Sequence, residues 1–253
     1  MSRSKKPIGF DRKIELEWLD ATAEWAAEGL PPDEIRGRLD SFLAEHVAGD
    51  GPHSAKGKTK TVLLHIWVLV PDALVPLRDR GLALLRGLPA SARLPLHWGM
   101  SVATYPFFRE VAATTGRLLN VQGNAPMAQV MRRMIESWGQ RSTLSRAVAR
   151  VLRSFVDWGA LLETHDRGVF VSAPKASTDG YEGVGVWLAE ACLSGAESAM
   201  VQFRQLIANP ALFPFSVGLT SRDLRRSPSL EVIRQGLSED YVRLSGSAFR
   251  ADC

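Results

Sequence analysis

The residues best equipped for chemistry in this chain are a row of arginines. Arg146, Arg150 and Arg153 recur at spacings of four and three, Arg141 stands just before them and Arg167 follows. On a helix of 3.6 residues per turn that spacing places Arg146, Arg150 and Arg153 on one side. A guanidinium is planar, permanently charged and forked, so it matches phosphate oxygens and the edge of guanine. Ser142, Thr143 and Ser145 accompany Arg146 in the first turns. Those are the positions a recognition helix aims at bases, while later turns meet the sugar-phosphate backbone. The chemistry this row offers is binding, not bond breaking. The plainer reading of the same residues is a solvated helix face.

The remaining reactive side chains form no catalytic set. Gly57, Lys58 and Thr59 look like the end of a phosphate loop, but the required glycine five positions earlier is Pro52. A polar helix, not a buried strand, precedes them, so backbone amides lack the frame that wraps phosphates. Segment 48–60 then reads as a solvated linker whose Lys56, Lys58 and Lys60 could touch a phosphate backbone. No two of His46, His53, His65, His97 and His165 share metal-ligand spacing. His65 and His97 lie in apolar segments and are expected in the core. The two cysteines, Cys192 and Cys253, are too few for a disulfide framework or a zinc cluster and suit a reducing compartment. No G-x-S-x-G or H-E-x-x-H motif occurs. The expectation is a protein without a cofactor, a metal or a catalytic centre.

A tight frame is needed to present the arginine row, and the flanking sequence supplies one. Leu144, Val148, Val151, Leu152 and Phe155 recur at helical spacing on the opposite face. Ser142 is expected to cap this helix, and Gly159 to end it. Before it, Met127, Val130, Met134 and Trp138 define a second helix, capped by Asn124 and stopped by Gly139. A third spans 106–120, with Pro106 in its first turn. After the arginine helix come two short apolar runs, 160–164 and 169–172, split by the turn sequence 165–168. Three helices and a hairpin in this order make a winged helix-turn-helix, with the hairpin as wing and Arg167 at its tip.

The rest of the chain reads as helical body. Residues 1–11 look like a loose basic tail, 12–28 and 33–47 pair as two helices, and the apolar run 61–70 leans helical. Segment 185–209 reads as one long helix; a capped helix at 220–226 carries Arg222, Arg225 and Arg226, with Arg204 and Arg234 nearby; 230–234 and 241–244 suggest a small hairpin. The expected fold is mainly α: an N-terminal helical domain (1–104), the winged-helix module (105–173) and a small α+β C-terminal module (174–253). With 253 residues and 45% hydrophobic content, a substantial core is assured; the net charge of +4 and pI near 9.3 suit a polyanionic partner and equally a protein that is merely basic. No segment reads as a signal peptide or as a membrane span, which implies a cytoplasmic protein.

The order of elements resembles the BrxA-like proteins of BREX (bacteriophage exclusion) defence islands. KGKTKTVLLHIW at 56–67, LHWGMSVATYPFFREV at 96–111 and STLSRAVARVLRSFVDWGALLE at 142–163 carry the likeness. The resemblance covers roughly 56–173 and implies a small, helical, basic DNA-binding accessory factor, with other defence-system proteins as possible partners. The extension beyond Pro174 departs from it. Two functions follow as expectations: contact with duplex DNA, RNA not being excluded, or a protein-interaction scaffold that an exposed apolar patch at 213–215 would favour.

Overall fold

In a computed structural model the chain is described at residues 7–196, 198–236 and 239–246. The first six residues of the basic tail, and the end of the chain with Cys253, lie outside these. Eleven α-helices and eight short strands occur among the described residues, and the fold is mainly α.

Five helices come first: α1 (Leu16–Ala27), α2 (Pro32–Phe42), α3 (Ala55–Trp67), α4 (Val75–Arg86) and α5 (Leu94–Thr104). Residues 61–67 of the 61–70 run are helical, as the end of α3, and 68–70 lie beyond it. That helix begins earlier than expected: Ser54 accepts a hydrogen bond from the Gly57 amide at 3.0 Å, so the Lys56–Lys60 stretch is helix and not linker. His65 is a second correction. It falls with Lys58 and Thr61 on the exposed arc of this helix, while His97 of α5 is buried.

Then follow α6 (Pro106–Gln122), β1 (Ala125–Pro126), α7 (Met127–Trp138), α8 (Leu144–Asp157), β2 (Leu161–Glu163) and β3 (Val169–Ser172). The three strands form one antiparallel sheet in the order β1-β3-β2. The expected caps shift here. Residues 125–126 are drawn into the sheet by pairing with β3, so α7 starts after Pro126 and Asn124 caps nothing. Thr143, not Ser142, precedes α8, and no side chain caps its first amides. Gly139 and Gly159, both at positive φ, do end α7 and α8.

The C-terminal part contains β4 (Ala176–Ser177), α9 (Val184–Ser194), β5 (Val201–Gln202), α10 (Phe203–Ile207), β6 (Phe215–Ser216), α11 (Ser221–Arg225), β7 (Leu230–Gln235) and β8 (Glu239–Leu244). The long helix expected over 185–209 is thus broken. α9 stops at Gly195, whose missing side chain makes room for the Val102 carbonyl and the Arg109 guanidinium, and the chain then enters a β5-β8-β7 sheet. The capped helix at 220–226 and the final hairpin appear as expected, the former through reciprocal Thr220–Asp223 bonds.

Trp98 of α5 joins these parts. Its ring meets Phe155 of α8 (4.7 Å between centroids), Phe108 of α6 (5.2 Å), Trp158 (5.9 Å), Phe213 (5.4 Å) and Phe215 (5.8 Å), and its indole N–H donates to the Ala211 carbonyl at 2.8 Å. Aromatic edges packed onto faces at these separations contribute beyond the area they bury. Residues from all three expected segments therefore share one core.

Candidate nucleic-acid interface

The arginine helix is seated by its apolar stripe. Leu144, Ala147, Val148, Val151, Leu152 and Phe155 are buried against α6, α7 and β2. At 100° per residue, Arg146, Arg150 and Arg153 lie within an arc of roughly 60° on the outward side. Arg146 and Arg153 are exposed there, as are Ser142, Thr143 and Ser145. Arg141 is half-buried at the turn before α8, and Arg167 is exposed in the β2–β3 turn.

Arg150 departs from the expectation of a free outward row. It is half-buried, and its Nη1 donates to the main-chain oxygen of Asp11 at 2.8 Å. Burial, then the charges of Arg12, Arg146 and Arg153, hold its pKa below the usual guanidinium value, against the opposing pull of Asp11. Arg12 Nη1 donates to the same Asp11 oxygen at 3.1 Å, so the Arg12 and Arg150 guanidiniums lie side by side, with Arg146 and Arg153 on the same side of α8. Asp157, the acid at the end of α8, is engaged elsewhere: it accepts from the Leu16 amide at 3.0 Å, at the start of α1, and pairs with Lys13 at 3.2 Å. A carboxylate there complements the positive end of α1.

Arg12 is the residue that sequence reasoning misses. Residues 7–11, expected as loose tail, and 12–15, expected as helix, form an arm along α8. Ile14 N–H donates to Ser154 Oγ at 2.8 Å and Trp158 Nε1 donates to the Ile14 carbonyl at 2.9 Å. Phe10 and Ile14 are fully buried. Two apolar residues four apart in a stretch otherwise charged are the one signal the sequence gives that this segment is anchored.

The lysines do not join the arginines as free cations. Lys56 pairs with Asp50 at 2.8 Å and Lys60 with Asp40, both lysine side chains being mostly covered; only Lys58 is exposed. They belong to α3, which packs on α1, α2 and α5. Gly57 is buried where α3 crosses the preceding loop, and a side chain there would strike the Gly51 carbonyl at 2.3 Å. The glycine therefore serves close packing, not phosphate wrapping. Of the second basic group, Arg225 is committed to Asp240 at 2.9 Å.

A cleft of about 750 Å³ lies between α4, α9 and the loops before α9 and around α11, lined by Arg80, Tyr181, Trp187, Glu190, Asp223 and Arg226. Its buried Glu190 is satisfied by Arg80 and by Ser229, whose hydroxyl donates to it at 2.6 Å. Asp223 is engaged in the Thr220 cap. Among the described residues no three His, Cys, Asp or Glu side chains gather to hold a metal ion, and no single helix is long and apolar enough to cross a membrane. Comparison with protein-family models, curated proteins and solved structures finds no match to this chain.

Proposed function

We propose that this protein binds duplex DNA, with the 105–173 segment acting as a winged helix-turn-helix, α8 as recognition helix and the β2–β3 hairpin as wing. The observation that carries this reading is that Arg146, Arg150 and Arg153 share one side of α8, with Arg12 of the arm beside Arg150, while the other side of the helix is locked in the core. Support comes from the element order helix, strand, helix, helix, hairpin and from the β1-β3-β2 pairing. Ser142, Thr143, Ser145 and Arg146 would face base edges, Arg153 the backbone, and Arg167 a neighbouring groove. B-form DNA admits an α-helix in its major groove, whereas the deep, narrow groove of duplex RNA does not, so DNA is the favoured partner.

The resemblance to BrxA-like proteins suggests a role as an accessory factor in bacteriophage defence, working beside other proteins of such a system. The scaffold reading loses its expected patch, because Phe213 and Phe215 are buried against Trp98.

The test is fluorescence anisotropy with a labelled 20-base-pair duplex across a salt series, on the wild type and on Arg146→Glu/Arg153→Glu. Both positions are exposed, so the fold should survive. The expected result is salt-sensitive binding by the wild type and loss of it in the double variant. Equal affinity in the two proteins would defeat the proposal; a duplex RNA arm that bound more tightly would replace DNA with RNA.

A further inference from the structure

The arm occupies a defined flank of α8. Arg150, Ser154, Asp157 and Trp158, the residues it touches, span an arc of roughly 100° beside the open face that carries Ser145, Ala149, Arg153 and Arg146. Three bonds use arm backbone: the Asp11 carbonyl accepts from Arg150, the Ile14 amide donates to Ser154 and the Ile14 carbonyl accepts from Trp158, while Lys13 and the Leu16 amide at the start of α1 meet Asp157. The path is therefore fixed by main chain, with Phe10 and Ile14 as buried anchors.

That path sets Arg12 beside Arg150, the two guanidiniums donating to one Asp11 carbonyl at 3.1 and 2.8 Å. The Arg12 side chain is 15% exposed, its Nε is buried without a hydrogen-bond partner, and its nearest acid is Asp11 at 3.9 Å. Asp11 is the acid that pairs with Arg12 here, and Asp157 on the same flank is taken up by Lys13 and the Leu16 amide. Like charges held together in the free protein repel, and a polyanion laid along the ridge supplies the missing counter-charge. A short distance and partial burial make each such charge count for more than it would in open solvent.

We propose that segment 9–15 is an integral wall of the nucleic-acid interface: Arg12 adds a phosphate contact to that of Arg153, and the Asp11 carbonyl makes Arg150 a positioning residue. This rests on the duplex-binding reading and extends it to a part of the chain about 130 residues away from the recognition helix.

The experiment compares wild type, Arg12→Gln, Arg12→Lys, Asp11→Asn and Arg146→Gln with the same labelled duplex in a salt series, thermal melting serving as a check on the fold. Arg12→Gln should weaken binding about three- to tenfold and lower the salt slope by about one, as for loss of a phosphate contact. Arg12→Lys should keep most of the affinity. Asp11→Asn should tighten binding, since it removes the acid that pairs with Arg12 while leaving the carbonyl that holds Arg150; a gain cannot come from misfolding. If Arg146→Gln weakens binding while the Arg12 and Asp11 variants behave as wild type, the arm proposal falls and the duplex reading stands. Equal losses in Arg12→Lys and Arg12→Gln also overturn it, because preserved charge would then not preserve binding. A wild type that binds no duplex overturns both.

Discussion

The guanidinium of Arg150 points into the main chain of Asp11, 2.8 Å away, and so ties α8 to the arm that precedes α1. This is the middle member of a row that helical spacing alone presents as uniformly outward. Its removal should be felt first in the arm. In Arg150→Ala the amides of Ile14 and Leu16, bonded to Ser154 and Asp157, should exchange with solvent roughly two- to tenfold faster, matching loss of a hydrogen bond worth about 1 kcal/mol. Hydrogen exchange read by mass spectrometry would show it. Unchanged protection at 9–16 would mean that Phe10 and Ile14 hold the arm unaided.

The neighbouring positive charges on α8 should have a stability effect opposite in sign to the one proposed for binding. Arg146→Gln should raise the melting temperature at low salt, by no more than about 0.5 kcal/mol of stability for so exposed a site. Near 1 M salt, where the screening length is about 3 Å, the difference should vanish. A lower melting temperature at both salt concentrations would show that Arg146 holds the fold instead of straining it.

Inside the body, His97 accepts from the Trp67 indole N–H at Nδ1 (3.1 Å), so its Nε2 carries the proton donated to Asp20 (2.9 Å). Burial raises the Asp20 pKa, but the His97 bond and the Arg93 charge outweigh it, leaving the carboxyl below its ordinary value. A carboxylate with a depressed folded pKa gives stability that is complete above the unfolded value near 3.9 and lost as pH falls through the folded one. Asp20→Ala should therefore cost about 1–3 kcal/mol at neutral pH, and its deficit should shrink below about pH 4. Urea denaturation at pH 7 and pH 3 measures both. A deficit independent of pH would deny Asp20 this role.

Gly116 of α6 lies against the 210–213 turn, where an added side chain would meet the Pro210 carbonyl at 2.0 Å. Neither partner in that contact is a flexible side-chain end, so the two segments must separate. Gly116→Ala should cost about 1–3 kcal/mol or more, as overpacking of a core does, despite the better helix propensity of alanine. Chemical denaturation would report it; a neutral result would mean that the turn yields freely.

Much of the local structure was legible in the chain. The apolar stripe of α8 made it a helix with one buried side, Gly139 and Gly159 gave the ends of α7 and α8, and Thr220-Ser221 marked a short capped helix. Such signals are local: a repeat of three and four residues states which face is apolar, and a cap needs only its own turn. They also placed Arg146 and Arg153 outward, where the structure has them.

Tertiary structure decided the rest, because the deciding partners are remote in sequence. The break at Gly195 depends on Val102 and Arg109, the engagement of Lys60 depends on Asp40, and the docking of 9–15 depends on Ser154, Asp157 and Trp158. The Asp11 carbonyl that captures Arg150 has no signature, since every residue has one. Periodicity sets the face on which an arginine stands; only packing settles whether that arginine meets solvent or another part of the chain.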